Sequence, residues 1–400
     1  MFPKFSFEEI SNYFLKTESN QFFVSVAIRY LALGMVAIFE PVYLYLYFGR
    51  SVSYVLLFWA AFSGIVALTV VFGGRIMARI GLKRTMLLSN LFFFGYYICL
   101  FFIKDFFLLA ALAIILRAIA ATLFWPAFHT DFIRFSKTHR RAEGVGKMSA
   151  ICLTAGILSP IIGGIILTGL GYAALFTVVL ITLFASTFPL FLSKERHEIY
   201  TDSYSQAWKR IWKNKEVSLS LVSLGIEGGV DIFMWPIFIF TLGVSYQEMG
   251  GISTFALLIS ALFAFYMGKI TARKNHFKLL NIGSVFLAIS WVVKYFVVNA
   301  FSALLAQNFY RMAKTSALIP FRTILYNKAA AKKGQADEFI IYREIVLNLS
   351  RFFFFMFLAG IFFIVDKINL SFIIAAIAST GFSFLAKPRL FSFKTKKAKT

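Results

Sequence analysis

The sequence predicts an all-α membrane protein of twelve transmembrane helices in two pseudo-symmetric six-helix bundles. Three observations predict it: an apolar composition laid out in long blocks, a one-sided placement of basic residues, and an internal repeat at a fixed offset. Of the 400 residues, 60% are hydrophobic and 15% charged, against roughly 45–50% apolar and about 25% charged in soluble domains. Val55–Phe72, Met86–Ile103, Leu170–Leu192 and Ser371–Ala386 contain no charge at all. A helix crosses the hydrocarbon with about 20 mostly apolar residues, because no water is available there to satisfy its backbone.

Twelve spans follow from these blocks, at about 22–47, 53–74, 85–103, 106–128, 148–168, 171–192, 217–242, 250–268, 279–298, 301–321, 340–365 and 369–386. The net charge of +23 raises nucleic-acid binding, but its distribution excludes that class. Of the 41 Lys and Arg residues, 31 fall in the two tails and the even-numbered connections. Only Arg50, Lys104 and Lys367 fall in odd-numbered ones. Excess Lys and Arg mark the cytoplasmic side, so both termini and the central connection are expected there, in a multi-pass cell (plasma or inner) membrane protein. The basic tail Lys387–Lys399 reads as a stop-transfer flank that can also touch anionic lipid. Met1–Asn20 is polar and lacks the apolar core of a cleavable signal peptide. Cys99 and Cys152 fall within spans and form neither a disulfide framework nor a metal cluster. No metal and no cofactor is expected. The 51 Phe residues are read as lipid-facing surface.

The repeat fixes the domain organisation. Gly74-Arg75-Ile76-Met77-Ala78-Arg79 recurs 194 residues later as Gly268-Lys269-Ile270-Thr271-Ala272-Arg273. The same offset carries Arg117 onto Arg311, Pro126 onto Pro320 and Glu143 onto Asp337, with Pro41 within one residue of Pro236. Residues 1–192 therefore form one bundle, 193–216 a polar cytoplasmic linker, and 217–400 the second bundle with a basic tail. Parallel six-span repeats related by an axis along the membrane normal are one transporter layout.

The motifs at these positions resemble the major facilitator superfamily. Gly74, Arg75, Arg79, Gly81, Lys83 and Arg84 match the glycines and basic residues of that family's signature between its second and third helices, roughly Gly-x-x-x-Asp-Arg-x-Gly-Arg-Lys. Ala78 stands where the family usually has Asp. In the family that Asp helps latch the cytoplasmic side, so the resemblance implies a latch weakened or remade with another acid. Gly156, Pro160, Gly163 and Gly164 resemble the antiporter signature Gly-Pro-x-x-Gly-Gly of the fifth helix, with Ser159 for the usual glycine. Arg117 matches an arginine often found in the fourth helix. Two readings stand for Gly163 and Gly164: a role in antiport, or close helix packing of the kind small residues allow in any membrane bundle. The basic cluster Arg75–Arg84 follows the charge rule in any case, and its recurrence at Lys269–Arg273 adds a gating role.

Ionisable residues inside spans need partners or a wet cavity, and they are functional candidates. They are Arg29 and Glu40 in span one, Arg117 in span four, Glu227 and Asp231 in span seven, Lys294 in span nine, Arg311 and Lys314 in span ten, and Arg343, Glu344 and Arg351 in span eleven. The resemblance implies a central cavity lined by helices one, four, seven and ten, which carry seven of the eleven. Arg29 and Glu40 share a helix face, about 16 Å apart in depth. Glu227 and Asp231 share a face at i, i+4, and neighbouring buried carboxylates are suited to hold and pass a proton. Arg117 and Arg311, at matching points of their halves, are expected to face each other across the pseudo-twofold axis. The plainer reading is structural pairing, Arg117 with Glu40 and Arg311 with Glu227 or Asp231. Lys294, Arg343 and Arg351 are expected to reach an interface or a carbonyl, Glu344 to pair locally with Arg343, and Trp125 and Trp235 to anchor or pack. Pro41, Pro126, Pro160, Pro236 and Pro320 mark bending points.

These readings together describe a secondary active transporter of a small solute, working by rocker-switch alternating access and proton-coupled through Glu40, Glu227 or Asp231. Four basic residues against three acids on the cavity helices tilt the substrate toward an anion or zwitterion. The rival is a non-transporting sensor or lipid-handling protein on the same fold. An enzyme is not expected: His129 with Asp131 sits at a helix end, and HExxH, Gly-x-Ser-x-Gly and phosphate-binding loops are missing from the sequence.

Overall fold

The computed structural model describes residues 18–135, 141–192, 194–197, 200, 203–330, 336–365 and 367–386. The basic tail and most of Met1–Asn20 lie outside the described residues. Those described are helical apart from short connections, as a bilayer demands of any open chain. Span one is built from helices Glu18–Val36 and Glu40–Tyr47, interrupted just before Pro41. Spans two, three and four are Val52–Ile80, Leu82–Phe102 and Leu108–Phe135.

Arg141–Gly156 opens span five, and Ser159–Ala185 completes it and begins span six. Within that second helix Gly171 has φ 77°, a conformation open to glycine and costly for other residues. Neighbours on span one show that the chain reverses there. Gly163 lies against Met35, the Tyr172 hydroxyl donates to the Phe39 carbonyl at 3.4 Å, and the Ser186 carbonyl is back beside Ser25 at 2.6 Å.

Span seven is Lys215–Gly229, a π-helical segment Val230–Met234, and Trp235–Thr241. The π segment precedes Pro236, whose ring cannot accept a regular preceding turn. Spans eight, nine and ten are Tyr246–Arg273, His276–Tyr295 and Ala300–Ala330. Ala336–Phe362 forms span eleven, and Leu370–Thr380 with the 3₁₀ turn Gly381–Ala386 forms span twelve. Nine of the described stretches are long and apolar enough to cross a membrane by themselves. Spans five and six merge into one such stretch, span twelve is short, and span ten carries Gln307, Asn308, Arg311 and Lys314.

The two halves meet chiefly along two helix pairs, span two on span eleven and span five on span eight. The 194-residue offset exchanges these pairs. A Cβ on Gly146 of span five would lie 2.8 Å from the Gly268 Cα of span eight, and one on Gly74 of span two would meet Ile341 of span eleven at 3.1 Å. Spans five and eight touch again at the far end, away from the linker. There a Cβ on Gly164 would approach the Tyr246 carbonyl oxygen at 2.5 Å, and one on Gly250 the Pro160 carbonyl oxygen at 2.6 Å. Large apolar side chains such as Leu68, Phe107 and Ile364 lie exposed, forming the surface that a bilayer covers.

Candidate functional site

A cavity of about 340 Å3 lies between the halves, lined from spans one, two, three, four, five, seven, ten and eleven. Its volume falls in the range of small-molecule sites. Belts of contacts between the halves bound it. At the far end Trp59 stacks on Phe233 with ring centroids 4.1 Å apart, and the Ser53 hydroxyl donates to the Ala359 carbonyl at 3.1 Å. At the linker end the His129 Nδ1 lies 2.7 Å from the Tyr326 hydroxyl.

The last six spans hold a connected charged cluster. Lys314 Nζ donates to Asp231 Oδ2 at 2.8 Å and lies 3.3 Å from Glu227 Oε2. The Tyr310 hydroxyl donates to Glu227 Oε1 at 2.6 Å and accepts from Lys314 Nζ at 2.8 Å. Arg311 Nη1 is 3.8 Å from Asp231 Oδ2. Lys294 does not reach an interface as its sequence position led us to expect. It is fully buried, 3.9 Å from Asp231 Oδ1, with Tyr310, Trp235 and Trp291 ring centroids at 3.5, 4.0 and 4.4 Å. Such a cage holds a cation through the ring faces. Trp235 is thus a wall of this cage and no interface anchor.

The first six spans solve the same problem with neutral donors. Glu40 accepts from the Tyr96 and Tyr97 hydroxyls of span three at 2.9 and 3.2 Å. Arg29 donates to the Asn90 side-chain oxygen and lies over the Phe124 ring at 3.7 Å. Arg117 does not pair with Glu40. It lies over Phe93 at 4.4 Å, and its Nε has no hydrogen-bond partner among the described residues.

Of the expected site residues, Glu40, Arg117, Glu227 and Lys314 line the cavity, while Asp231 stands behind Lys314. Arg29 and Arg311 are not in the lining. Arg311 therefore does not face Arg117 across the axis, because its guanidinium turns toward Asp231 within its own half. Arg343, Glu344 and Arg351 of span eleven line the cavity, where an interface or a carbonyl was expected for the two arginines, and Glu344 pairs with Arg343 as its sequence position suggested. Arg322 lines it too. A position just past the expected end of span ten had hidden it, but the helix continues to Ala330.

The signature loop after span two has a built anion cap. The Glu195 carboxylate accepts from the backbone N–H groups of Lys83 and Arg84 at 3.0 and 2.9 Å, with Arg84 Nε at 4.0 Å. A Cβ at position 81 would sit 2.2 Å from its Oε1, so Gly81, at φ 96°, is what admits the carboxylate. Glu195 thus supplies an acid beside a motif that has Ala78 in place of Asp. Glu195→Ala is expected to lower thermal stability by about 1–2 kcal/mol, the usual cost of a lost helix N-terminal cap, as read by a melting curve of the purified protein. Nearby, Arg196 donates to Glu18 at 2.6 Å and holds that carboxyl below its ordinary value. Its contribution is present at neutral pH and is lost as the pH falls through the lowered value.

In span five, Gly163 lies against the Met35 carbonyl of span one and Gly164 against the Tyr246 carbonyl. The helix breaks between Gly156 and Ser159, beside Pro160. These residues serve close helix crossings. Missed from sequence were Tyr96, Tyr97, Tyr310, Asn90 and Glu195. Adjacent tyrosines in the otherwise uncharged core of span three were the available signal for the first two.

Comparison with known proteins agrees with this architecture. The model of the Major Facilitator Superfamily matches residues 22–336. The uncharacterised protein YqgE of Bacillus subtilis (strain 168) is 24% identical over 249 residues, covering 57% of this chain. The match spans about half of that relative, 55% of its length. The human organic anion transporter MFSD10 (TETRAN) superposes with a TM-score of 0.70 at 12% identity, covering 92% of this chain and 98% of that one. The E. coli fucose:proton symporter FucP superposes with a TM-score of 0.68 at 11% identity, covering 92% and 97%.

Proposed function

Because the chain belongs to the Major Facilitator Superfamily, we propose that it is a secondary active transporter of small organic anions, alternating the access of its central cavity between the two membrane faces. The observation that carries this reading is the charge of the cavity lining. Arg117, Lys314, Arg322, Arg343 and Arg351 stand against Glu40, Glu227 and Glu344. Lys314 and Arg343 are paired with carboxylates, whereas Arg117, Arg322 and Arg351 have no ion-pair partner among the described residues. Half-buried guanidinium groups with no ion-pair partner favour an anionic guest, and their planar forks suit carboxylate or phosphate. Trp59, Phe62, Trp125 and Phe233, which line the same cavity, suit an apolar body. The fold neighbours named for organic anion transport and proton symport are consistent with this assignment.

Proton coupling has its support in the Glu227–Lys314–Asp231 cluster. Protonation of one acid would leave Lys314 with a single carboxylate partner instead of two, and an arriving anion would compete for the same ammonium. The test uses proteoliposomes and a panel of labelled mono- and dicarboxylates, amino acids and organic cations under an imposed pH gradient. Flux of an anion, driven by the gradient and reduced at least roughly tenfold by Arg117→Ala, as for loss of a buried charge-assisted contact, is the expected result. Flux confined to cations, or equal flux with and without the gradient in the native protein and in Glu227→Gln, would overturn the substrate or the coupling assignment respectively. Binding of an anion without any flux would favour the sensor reading.

A further inference from the structure

The connection between the halves contains a helix that the transport reading does not use. Tyr204–Lys213 opens on a complete capping box, in which Ser203 and Gln206 exchange hydrogen bonds. Ten residues do not hold a helix alone, so its contacts decide its place. Ala207 and Ile211 pack with Val70 and Val71 of span two and Ile341 and Ile345 of span eleven. Arg210 pairs with Glu338 of span eleven at 2.6 Å, and the Tyr204 hydroxyl donates to the Leu68 carbonyl of span two. The helix is thereby fastened to both halves, along the seam where spans two and eleven meet.

Its other face is unusual for a surface in water. Trp208 and Trp212, one turn apart, are 53% and 61% exposed. The stripe they form continues through Tyr204, whose ring lies 6.3 Å from that of Phe72, onto exposed Phe72 and Leu68 of span two. That flank is part of the apolar surface facing the bilayer. Basic residues border it. Lys209, Lys213 and Lys215 are exposed, Lys215 Nζ lies 6.0 Å from the Trp212 ring, and Arg75 lies 5.7 Å from the Phe72 ring. None of these four cations has an ion-pair partner among the described residues.

We propose that this face is a lipid-binding surface, with Trp208 and Trp212 in the interfacial zone of the leaflet and Lys209, Lys213 and Lys215 holding anionic headgroups. Indole rings favour the interface because they are apolar bodies with one polar N–H. Exposed lysines around them attract acidic lipid and are indifferent to zwitterionic lipid. Continuity with the bilayer-facing flank of span two selects a membrane over a soluble protein as the occupant. The charge distribution places this leaflet on the cytoplasmic side. Because the helix is fastened to spans two and eleven, headgroups held there also steady the linker-end seam between the halves.

The test is quenching of tryptophan emission in the full-length protein, reconstituted into phosphatidylcholine vesicles containing brominated phosphatidylcholine or brominated phosphatidylglycerol. Trp59, Trp235 and Trp291 are buried and Trp125 faces the cavity, so quenching reports Trp208 and Trp212. Loss of the quenching in Trp208→Phe/Trp212→Phe checks this assignment. The brominated anionic lipid is expected to quench at roughly a fivefold lower mole fraction than the zwitterionic one, a modest preference for three basic side chains near an acidic surface. Lys209→Gln/Lys213→Gln/Lys215→Gln, all at exposed positions, is expected to equalise the two lipids while leaving zwitterionic quenching intact. Equal quenching by both lipids in the native protein would overturn the proposal. So would an anionic preference that survives the triple substitution, or emission that neither lipid quenches.

Discussion

Asp231→Asn is expected to cost about 3–5 kcal/mol of folding stability, because removing one partner of a buried charge cluster strands the others. Lys294, Arg311 and Lys314 all approach the Asp231 carboxylate. Without its charge, Glu227 alone remains to balance three cations. Lys294 suffers most, since Asp231 is the one carboxylate in ion-pair contact with it among the described residues and its side chain is fully buried. Lys294→Met makes the converse change and should cost much less, because Asp231 keeps Lys314 and Arg311 and the aromatic cage accepts an apolar chain of similar length. The double variant should therefore be more stable than Asp231→Asn alone, a coupling that only groups in one network show. The buried thiols of Cys99 and Cys152 provide the readout, since a thiol-reactive dye labels them as the protein unfolds on heating. Equal losses from Asp231→Asn and Lys294→Met, with no recovery in the double variant, would contradict the charge balance described above.

Leucine at Gly146 and leucine at Gly164 should have opposite effects on the two ends of the cavity. At Gly146 a side chain has no space, because it meets the Gly268 backbone 2.8 Å from its Cβ; at Gly164 it meets the Tyr246 carbonyl oxygen at 2.5 Å. Backbone atoms cannot step aside as a side chain can, so spans five and eight must separate locally. Overpacking of this kind costs about 1–3 kcal/mol. If the cost is borne only in the state where that end is closed, the balance of states shifts roughly 5- to 150-fold. Gly146→Leu should open the linker end and Gly164→Leu the far end. Leu224→Cys and Leu318→Cys, both in the cavity lining, report this when treated with a membrane-impermeant thiol reagent from either side. The same sidedness of labelling in both glycine variants would contradict alternating access.

Much of the fold was legible because it follows from backbone chemistry in hydrocarbon. The charge-free blocks locate the spans, and Gly74 and Gly268 stand at the same point of each half because both lie where helices of opposite halves cross. The site was less legible. A search for charge finds Glu40, but its partners are the hydroxyls of Tyr96 and Tyr97, which composition does not separate from other lipid-exposed or packing aromatics. Arg322 looked like the start of a polar connection, since a charged residue at a span's end ordinarily signals water beyond the membrane. Here the helix continues beyond it and the charge is turned into the lining of the central cavity. Arg117 and Arg311 match in sequence position but differ in direction, because Asp231 in the second half has no acidic counterpart at Ala37 in the first. Symmetry of sequence therefore located the helices and left the orientation of their charged groups to packing.

The turn at Gly171 bears on how the protein is made. Residues 151–191 form one uncharged apolar stretch of 41 residues, and a single glycine reverses the chain inside it. A nascent chain ordinarily threads a polar loop across the membrane between successive spans, and no such loop is present here. The fifth and sixth helices are expected to enter the membrane together, as a hairpin. Each shields the other's backbone at the bend, and the choice of which way they face is inherited from the basic residues that precede and follow the pair.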